Sequence, residues 1–292
     1  MKDYAAFLGE HFDYKVQKLM VNAGFTCPNR DGSKGKGGCS FCANSAFNPA
    51  YCDPRLSVAE QLERGKEFFA KKYPQMKYLA YFQAYSNTYA PVEQLRSVYE
   101  EALAVDDVVG LVIATRPDCL DDKVVEYLTE LSKRVFLVVE LGIESTHDVT
   151  LQAINRCHNW GESQEAIKLL ASCGIVVGVH LILGLPGETE AMMEQSVAAI
   201  AELPVTLIKF HQMQVLKGTK LACQWERGDV ELLQWDAGQY ASLCARLVKL
   251  LPSNVIVERF VSQSPLSMLV WPRWNLKPGE FAELLKTKMN EL

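Results

Sequence analysis

Three cysteines fall within the sixteen residues CPNRDGSKGKGGCSFC, positions 27–42. Eleven residues separate Cys27 from Cys39, and two separate Cys39 from Cys42. The segment carries glycines, three basic residues and no Val, Leu or Ile, so it cannot be a strand or helix of an apolar core. Its glycines allow a closely wrapped loop with positive φ. Arg30, Lys34 and Lys36 would favour thiolate over thiol. Three thiolates this near one another point to a metal. A structural zinc takes four protein ligands and leaves no open position, and Cys52, beyond a nine-residue gap, could complete such a set. A [4Fe–4S] cluster held by three cysteines instead keeps one iron free to bind something else. The spacing leaves both readings open.

Other residues could also do chemistry. Lys209 and His211 alternate with Ile208 and Phe210, which puts both on one face of a strand. An unpaired lysine on an inward face is costly, so the pair is a candidate catalytic site. His180 lies on an apolar strand just before GLPG, either as a satisfied core histidine or facing a site. Lys217 and Arg259 are solvated charges or contacts to an anionic substrate. Trp274, close to Trp271, caps the fold or stacks a base. The scattered cysteines read as small buried hydrophobes, with Cys52 the one to test because it follows the loop. GLPGE lacks the GK[ST] ending of a phosphate loop, and no HExxH, GxSxG or kinase set is present.

The elements that must position these residues form a repeating pattern. The 292 residues are 49% apolar and 22% charged, ordinary for a globular chain long enough to bury a sizeable core. A net charge of −5 excludes a uniformly basic nucleic-acid binder but leaves room for a local basic patch. No run approaches the roughly 20 apolar residues a bilayer requires. MKDYAAFLGEHFDYK has neither a basic n-region nor an apolar h-region, so no secretory signal is expected. With nine cysteines, an odd number, the chain is expected to hold reduced thiols in the cytoplasm. Strands are predicted at 15–23, 77–84, 108–115, 134–143, 175–183 and 205–213, and helices at 56–73, 91–104, 120–133 and 162–173. Pro91, Asp121 and Asp122 suit helix starts, and Gly174 suits a stop.

Strands such as LVIAT and LVVELGI are apolar on both faces, as in a parallel sheet covered by crossover helices. The pattern predicts an α/β fold, an incomplete (β/α)6 barrel over 1–235. A C-terminal extension, 236–292, packs on it, with a helix at 236–251, a strand at 255–260 and a Trp-rich tail. A Rossmann-type sheet is disfavoured because no GxGxxG follows the first strand. In such barrels chemistry sits at the C-terminal strand ends, and the cysteine loop follows the first strand directly.

The loop resembles that of the radical S-adenosylmethionine (SAM) enzymes, in the branch near the radical-SAM half of the Elongator catalytic subunit. That branch includes bacterial proteins whose loop also begins CPNRDG and ends GGC-x-FC. YFQAYSNTYAPVE (81–93), ATRPDCL (114–120), ELGIES (140–145), INRCH (154–158), HLILGLPGE (180–188), IKFHQMQVLKGT (208–219) and VERF (257–260) follow in the order of that family. The likeness covers roughly residues 12–275.

The resemblance implies that Cys27, Cys39 and Cys42 bind a [4Fe–4S] cluster whose open iron chelates SAM. It implies that Phe41 packs near the adenine and that Ser86 and Asn87 stand where SAM's amino group binds. The family's glycine pair and acidic residue are missing at that last stretch. Glu140 is implied as a polar cofactor contact at the end of the fourth strand. Arg156 is implied to meet the SAM carboxylate, and Gly184 and Leu185 to bring backbone to the adenine. Reduction of the cluster would cleave SAM to a 5′-deoxyadenosyl radical. The implied substrate is tRNA, with the wobble-uridine side chain changed from carboxymethylaminomethyl to aminomethyl. An electron donor such as flavodoxin or ferredoxin is the implied partner. Two alternatives stand beside this: a radical SAM enzyme on a small metabolite, like coproporphyrinogen dehydrogenases, and a zinc-stabilised binding protein without catalysis.

Overall fold

A computed structural model describes residues 3–70 and 75–292. Strand β1 (Val16–Val21) is followed by β2 (Lys77–Phe82), β3 (Val108–Thr115), β4 (Phe136–Glu144), β5 (Val176–Leu183) and β6 (Leu207–Gln212). After these come β7 (Val215–Leu216), β8 (Ile256–Arg259) and β9 (Leu269–Trp271). The helices are α1 (Tyr4–Gly9), α2 (Val58–Ala70), α3 (Val92–Leu103), α4 (Asp122–Ser132), α5 (Asp148–Ala153) and α6 (Trp160–Ser172). They continue as α7 (Glu190–Ala201), α8 (Lys220–Glu226), α9 (Ala237–Lys249) and α10 (Pro278–Asn290). The last predicted residues of the 56–73 helix, 71–73, lie outside the described residues.

One parallel sheet runs β1-β2-β3-β4-β5-β6-β8, while β7 and β9 form a separate antiparallel pair. The six predicted strands are all in the sheet. A seventh joins it, because the segment expected as part of an extension, Ile256–Arg259, pairs with β6. The two edges stay unpaired with each other. Lys18 on β1 nevertheless reaches Glu258 on β8 at 2.7 Å, so the sheet is curled until its edges face.

Strand alternation sorts the side chains into two populations. Leu19, Ile113, Val139, Leu181, Ile208 and Phe210 face the helices and form the main core. Each such side chain contributes about 1.5–3 kcal/mol when fully buried. The opposite face fills the barrel in layers. Leu79, Val112, Val138, Leu207 and Ile256 make an apolar floor, plugged from below by Phe7 and Leu8 of α1. Above this floor the inward positions turn charged and polar. Helix starts follow local chemistry: Asp121 caps α4 by accepting from the Val124 N–H, and Asn159 and Glu162 form a capping box on α6. Gly174, at φ +73°, ends that helix as predicted.

Candidate active site

Directly above the floor lies an ion network. Glu140 on β4, 1% exposed, accepts hydrogen bonds from Lys18 (2.9 Å), Lys209 (2.6 and 2.7 Å), Tyr81 (2.8 Å) and His180 (2.9 Å). Glu258 meets Lys18 at 2.7 Å and Lys209 at 3.2 Å. Burial opposes the Glu140 charge, but Lys18, Lys209 and the His180 hydrogen bond outweigh it and hold the carboxyl well below its usual range. Burial pushes Lys209 down to about 8 against the pull of Glu140 and Glu258. Burial also lowers His180, and it pushes His211 well down together with Arg259, so both imidazoles are neutral near pH 7.

Above the network a cavity opens where the strands end, collecting residues from β3, β4, β5, β6 and β8 of the sheet, from Gln83 to Ser86 just past β2, and from the cysteine loop that follows β1. Cys27, Cys39, Cys42, Phe41, Ser86, Arg156, His180, His211 and Arg259 all line it. The loop is folded against the segment after α5. Ser40 N–H donates to Ile154 O at 2.9 Å, Asn155 Nδ2 donates to Gly38 O at 2.9 Å, and Asn29 Nδ2 donates to Asn155 O. Gly35 is required here, since a Cβ would sit 2.1 Å from Asn29 Oδ1 and 2.8 Å from Cys157 Sγ.

The cations near the thiols differ in part from those expected. Lys34 turns away to Asp118 at 2.8 Å, whereas Arg156 Nη1 approaches Cys39 Sγ at 3.5 Å and Arg30 Nη1 approaches Cys42 Sγ at 3.9 Å. Cys52 does not join the three. It is buried off the cavity wall, donates to Met20 O at 3.0 Å, and burial pushes its thiol up to about 12. A four-cysteine zinc site therefore lacks its fourth ligand. Among the described residues no three His, Cys, Asp or Glu side chains converge on one point as ligands of a single ion do. Three thiols spread around one wall, beside an open space, fit a cluster in which each binds a different iron.

Among the described residues, five buried polar atoms on this wall have no hydrogen-bond partner: Gln83 Oε1, Ser86 Oγ, Arg116 Nη1, His211 Nε2 and Arg259 Nε. Orphaned buried groups cost on the order of 1–3 kcal/mol each, so the lining fits a polar ligand. Tyr85 and Glu144, both in the wall, hold φ of 65° and 70°, the kind of backbone strain that collects at functional sites.

Several of the expected site residues lie elsewhere. Glu140 belongs to the ion network, because β4 continues to Glu144, and it is Glu144 that faces the cavity. Lys209 is likewise fully engaged beneath the cavity. Asn87 lies outside the cavity wall, its Nδ2 donating to Phe82 O and Ala114 O while its Oδ1 is buried without a partner among the described residues. Gly184, at φ +89°, packs on Trp235, and Leu185 is buried in an apolar cluster beside Phe41. Lys217 is exposed outside the cavity. Trp274 lies among Tyr240 and Phe281, with its Nε1 donating to Trp235 O, so its faces are not open to a base. Residues missed from sequence are Gln83, Arg116 and Glu144. Glu144 was findable, since period-two alternation puts it on the face of Glu140.

The pattern of the radical SAM superfamily matches residues 25–200, and that of the radical SAM C-terminal domain matches 205–291. YtqA of Bacillus subtilis is 41% identical over 273 residues, covering 94% of this chain and 84% of YtqA. The tRNA uridine(34) acetyltransferase of Methanocaldococcus infernus is 28% identical over 177 residues, 56% of this chain and 32% of that protein. The solved archaeal Elp3 of the same organism shares the fold, with a TM-score of 0.66 at 18% identity over 95% of this chain and 62% of that one. The chain thus spans about a third of the acetyltransferase's length. No helix among the described residues is long and apolar enough to cross a membrane.

Proposed function

The chain belongs to the radical SAM superfamily, enzymes whose cofactors are a [4Fe–4S] cluster and SAM, and from that premise we propose that it modifies the wobble uridine of tRNA. The observation that carries the proposal is the placing of Cys27, Cys39 and Cys42 around one cavity at the C-terminal mouth of the barrel, with Cys52 held apart. These three thiolates would hold the cluster. What the bound group supplies is one electron, which splits SAM into methionine and a 5′-deoxyadenosyl radical.

The protein's own residues bind, orient and exclude water. Phe41, partly buried against Ile182 and Leu185, offers an apolar surface for an adenine. Ser86 Oγ is free to meet the amino group of SAM. Arg156, implied above for the SAM carboxylate, spends its N–H groups on Cys39, Gly142 O and His158. Arg116 keeps an unpartnered Nη1 in the wall while Asp118 holds its other edge at 2.8 and 2.9 Å, so it suits that carboxylate better.

RNA as substrate is supported by the name of the acetyltransferase relative and by the cavity's surroundings. Exposed Arg30 and Lys36 lie on the cysteine loop, and exposed Lys217 and Lys220 lie on the segment packed beside it, where Lys220 Nζ would touch a Cβ at Gly37. Four cations in one patch can hold phosphates despite the negative net charge. The conversion of carboxymethylaminomethyl to aminomethyl uridine, in the cytoplasm and with flavodoxin or ferredoxin as electron donor, completes the proposal. Nucleoside analysis of tRNA from a strain lacking the gene tests it. Accumulation of the carboxymethylaminomethyl form supports the substrate, and an unchanged nucleoside profile refutes it.

A further inference from the structure

Arg259 ends β8 where two spaces meet. It lines the active-site cavity and also the groove between the facing edge strands β1 and β8. Its neighbours in the barrel are the buried ion network: it pairs in register with Lys209, and its charge acts on Lys209, Tyr81 and His211. Among the described residues Arg259 makes no hydrogen bond or ion pair, and its Nε is buried. Beside it His211 Nε2 is also buried without a partner, while His211 Nδ1 pairs with the Ser262 hydroxyl. When Nδ1 accepts from that hydroxyl, Nε2 carries the proton and is a second donor.

The other buried charges around this point balance. Lys18 and Lys209 are matched by Glu140 and Glu258, Arg156 by Glu144 at 3.3 Å, and Arg116 by Asp118 at 2.8 Å. Both histidines are held neutral by burial. One positive charge is left over, on a planar group with parallel N–H donors.

We propose that Arg259, with His211 Nε2 as second donor, is the specificity-determining site for a carboxylate on the substrate, entering through the groove between β1 and β8. The proposal rests on the cavity being the active site, and it applies whether or not the carboxylate is carried on RNA. A guanidinium fork matches a carboxylate in two parallel hydrogen bonds. A terminal phosphate would bring nearly two charges against one, leaving an uncompensated buried charge. A phosphodiester continues on both sides, and the network under Arg259 is closed on that side, with Glu140 1% and Lys209 3% exposed, which favours an anion that ends its chain there.

The test follows the Nε–H resonance of Arg259 by nitrogen-15 NMR in the full chain, cluster-reconstituted, SAM-loaded and unreduced. Loss of the signal in Arg259→Lys assigns it. N-methylglycine should shift it saturably, and N-methylglycinamide or dimethyl phosphate at equal concentration should not. Calorimetry with Arg259→Gln, its fold checked by circular dichroism, should show carboxylate affinity reduced about tenfold or more. A missing carboxylate response, an equal response to dimethyl phosphate, or undiminished affinity in a folded Arg259→Gln overturns the proposal. If Arg259→Gln fails to fold, the wild-type titration still decides. A chain that cleaves SAM yet ignores N-methylglycine refutes this inference alone, whereas a chain that never cleaves SAM refutes the active-site reading.

Discussion

Lys209 on β6 donates to both oxygens of Glu140 on β4, at 2.7 and 2.6 Å, across the interior of the barrel and past the intervening β5. The pair sits between the apolar floor and the active-site cavity, and through Glu140 it also fixes His180 Nε2 in the cavity wall at 2.9 Å. Lys209 thus holds the Glu140 carboxylate, and through it the His180 ring, in place. Glu140→Gln should cost about 3–5 kcal/mol, since it leaves two buried lysines facing one carboxylate, Glu258. A fall in the urea midpoint measures this.

The same carboxylate predicts an acid-sensitive step. Glu140 titrates well below its ordinary 4.5 in the folded chain. Its stabilisation is then complete above the unfolded value and lost as pH falls below it toward the depressed folded value. The urea midpoint should drop from about pH 5.5 to about pH 3.5 in the wild type, and more shallowly in Glu140→Gln. Parallel slopes would remove Glu140 from the account.

Gly184 is assigned to packing. With φ at +89° and Trp235 Cζ3 2.9 Å from any Cβ, Gly184→Ala should cost about 1–3 kcal/mol. Thermal melting checks it, and an unchanged midpoint would contradict the packing role.

Arg116→Gln should weaken SAM binding to the unreduced, cluster-loaded protein about tenfold, roughly the 1.4 kcal/mol of one charge-assisted hydrogen bond. Equilibrium dialysis reads the affinity directly. If Arg156→Gln weakens SAM more than Arg116→Gln while iron content holds, the carboxylate belongs to Arg156.

Lys217→Glu and Lys220→Glu should each lower tRNA affinity about three- to tenfold at physiological salt. For every phosphate no longer neutralised, the slope of log affinity against log salt should fall by about 0.7–0.9. Filter binding across a salt series measures both, and unchanged slopes would place the RNA elsewhere or nowhere.

The fold was legible because its signals are local. Runs such as VVGLVIAT are apolar on both faces, which only a sheet covered by helices explains, and Pro91 and Asp121 carry the chemistry of helix starts. The three-cysteine loop was legible because no core element tolerates its composition. What stayed hidden depends on register and on partners far apart in sequence. β4 runs on four residues, two repeats of the pleat, past Glu140, and this moved the cavity-facing role to Glu144. Lys18 gave no sign of pairing with Glu258, 240 residues away, because only the curl of the sheet brings the edges together. Cys52 could not be separated from the other thiols by spacing, yet the fold turns its Sγ to Met20 O.

The central claim is that Cys27, Cys39 and Cys42, without Cys52, hold a cluster with one iron open to SAM. Anaerobic reconstitution with iron and sulfide, followed by reduction in the presence of SAM, tests it most directly. The wild type and Cys52→Ala should each bind about four iron and four sulfide per chain and release 5′-deoxyadenosine. Alanine at position 27, 39 or 42 should abolish that release. Stoichiometric zinc with no cluster, or loss of the cluster in Cys52→Ala, would contradict it.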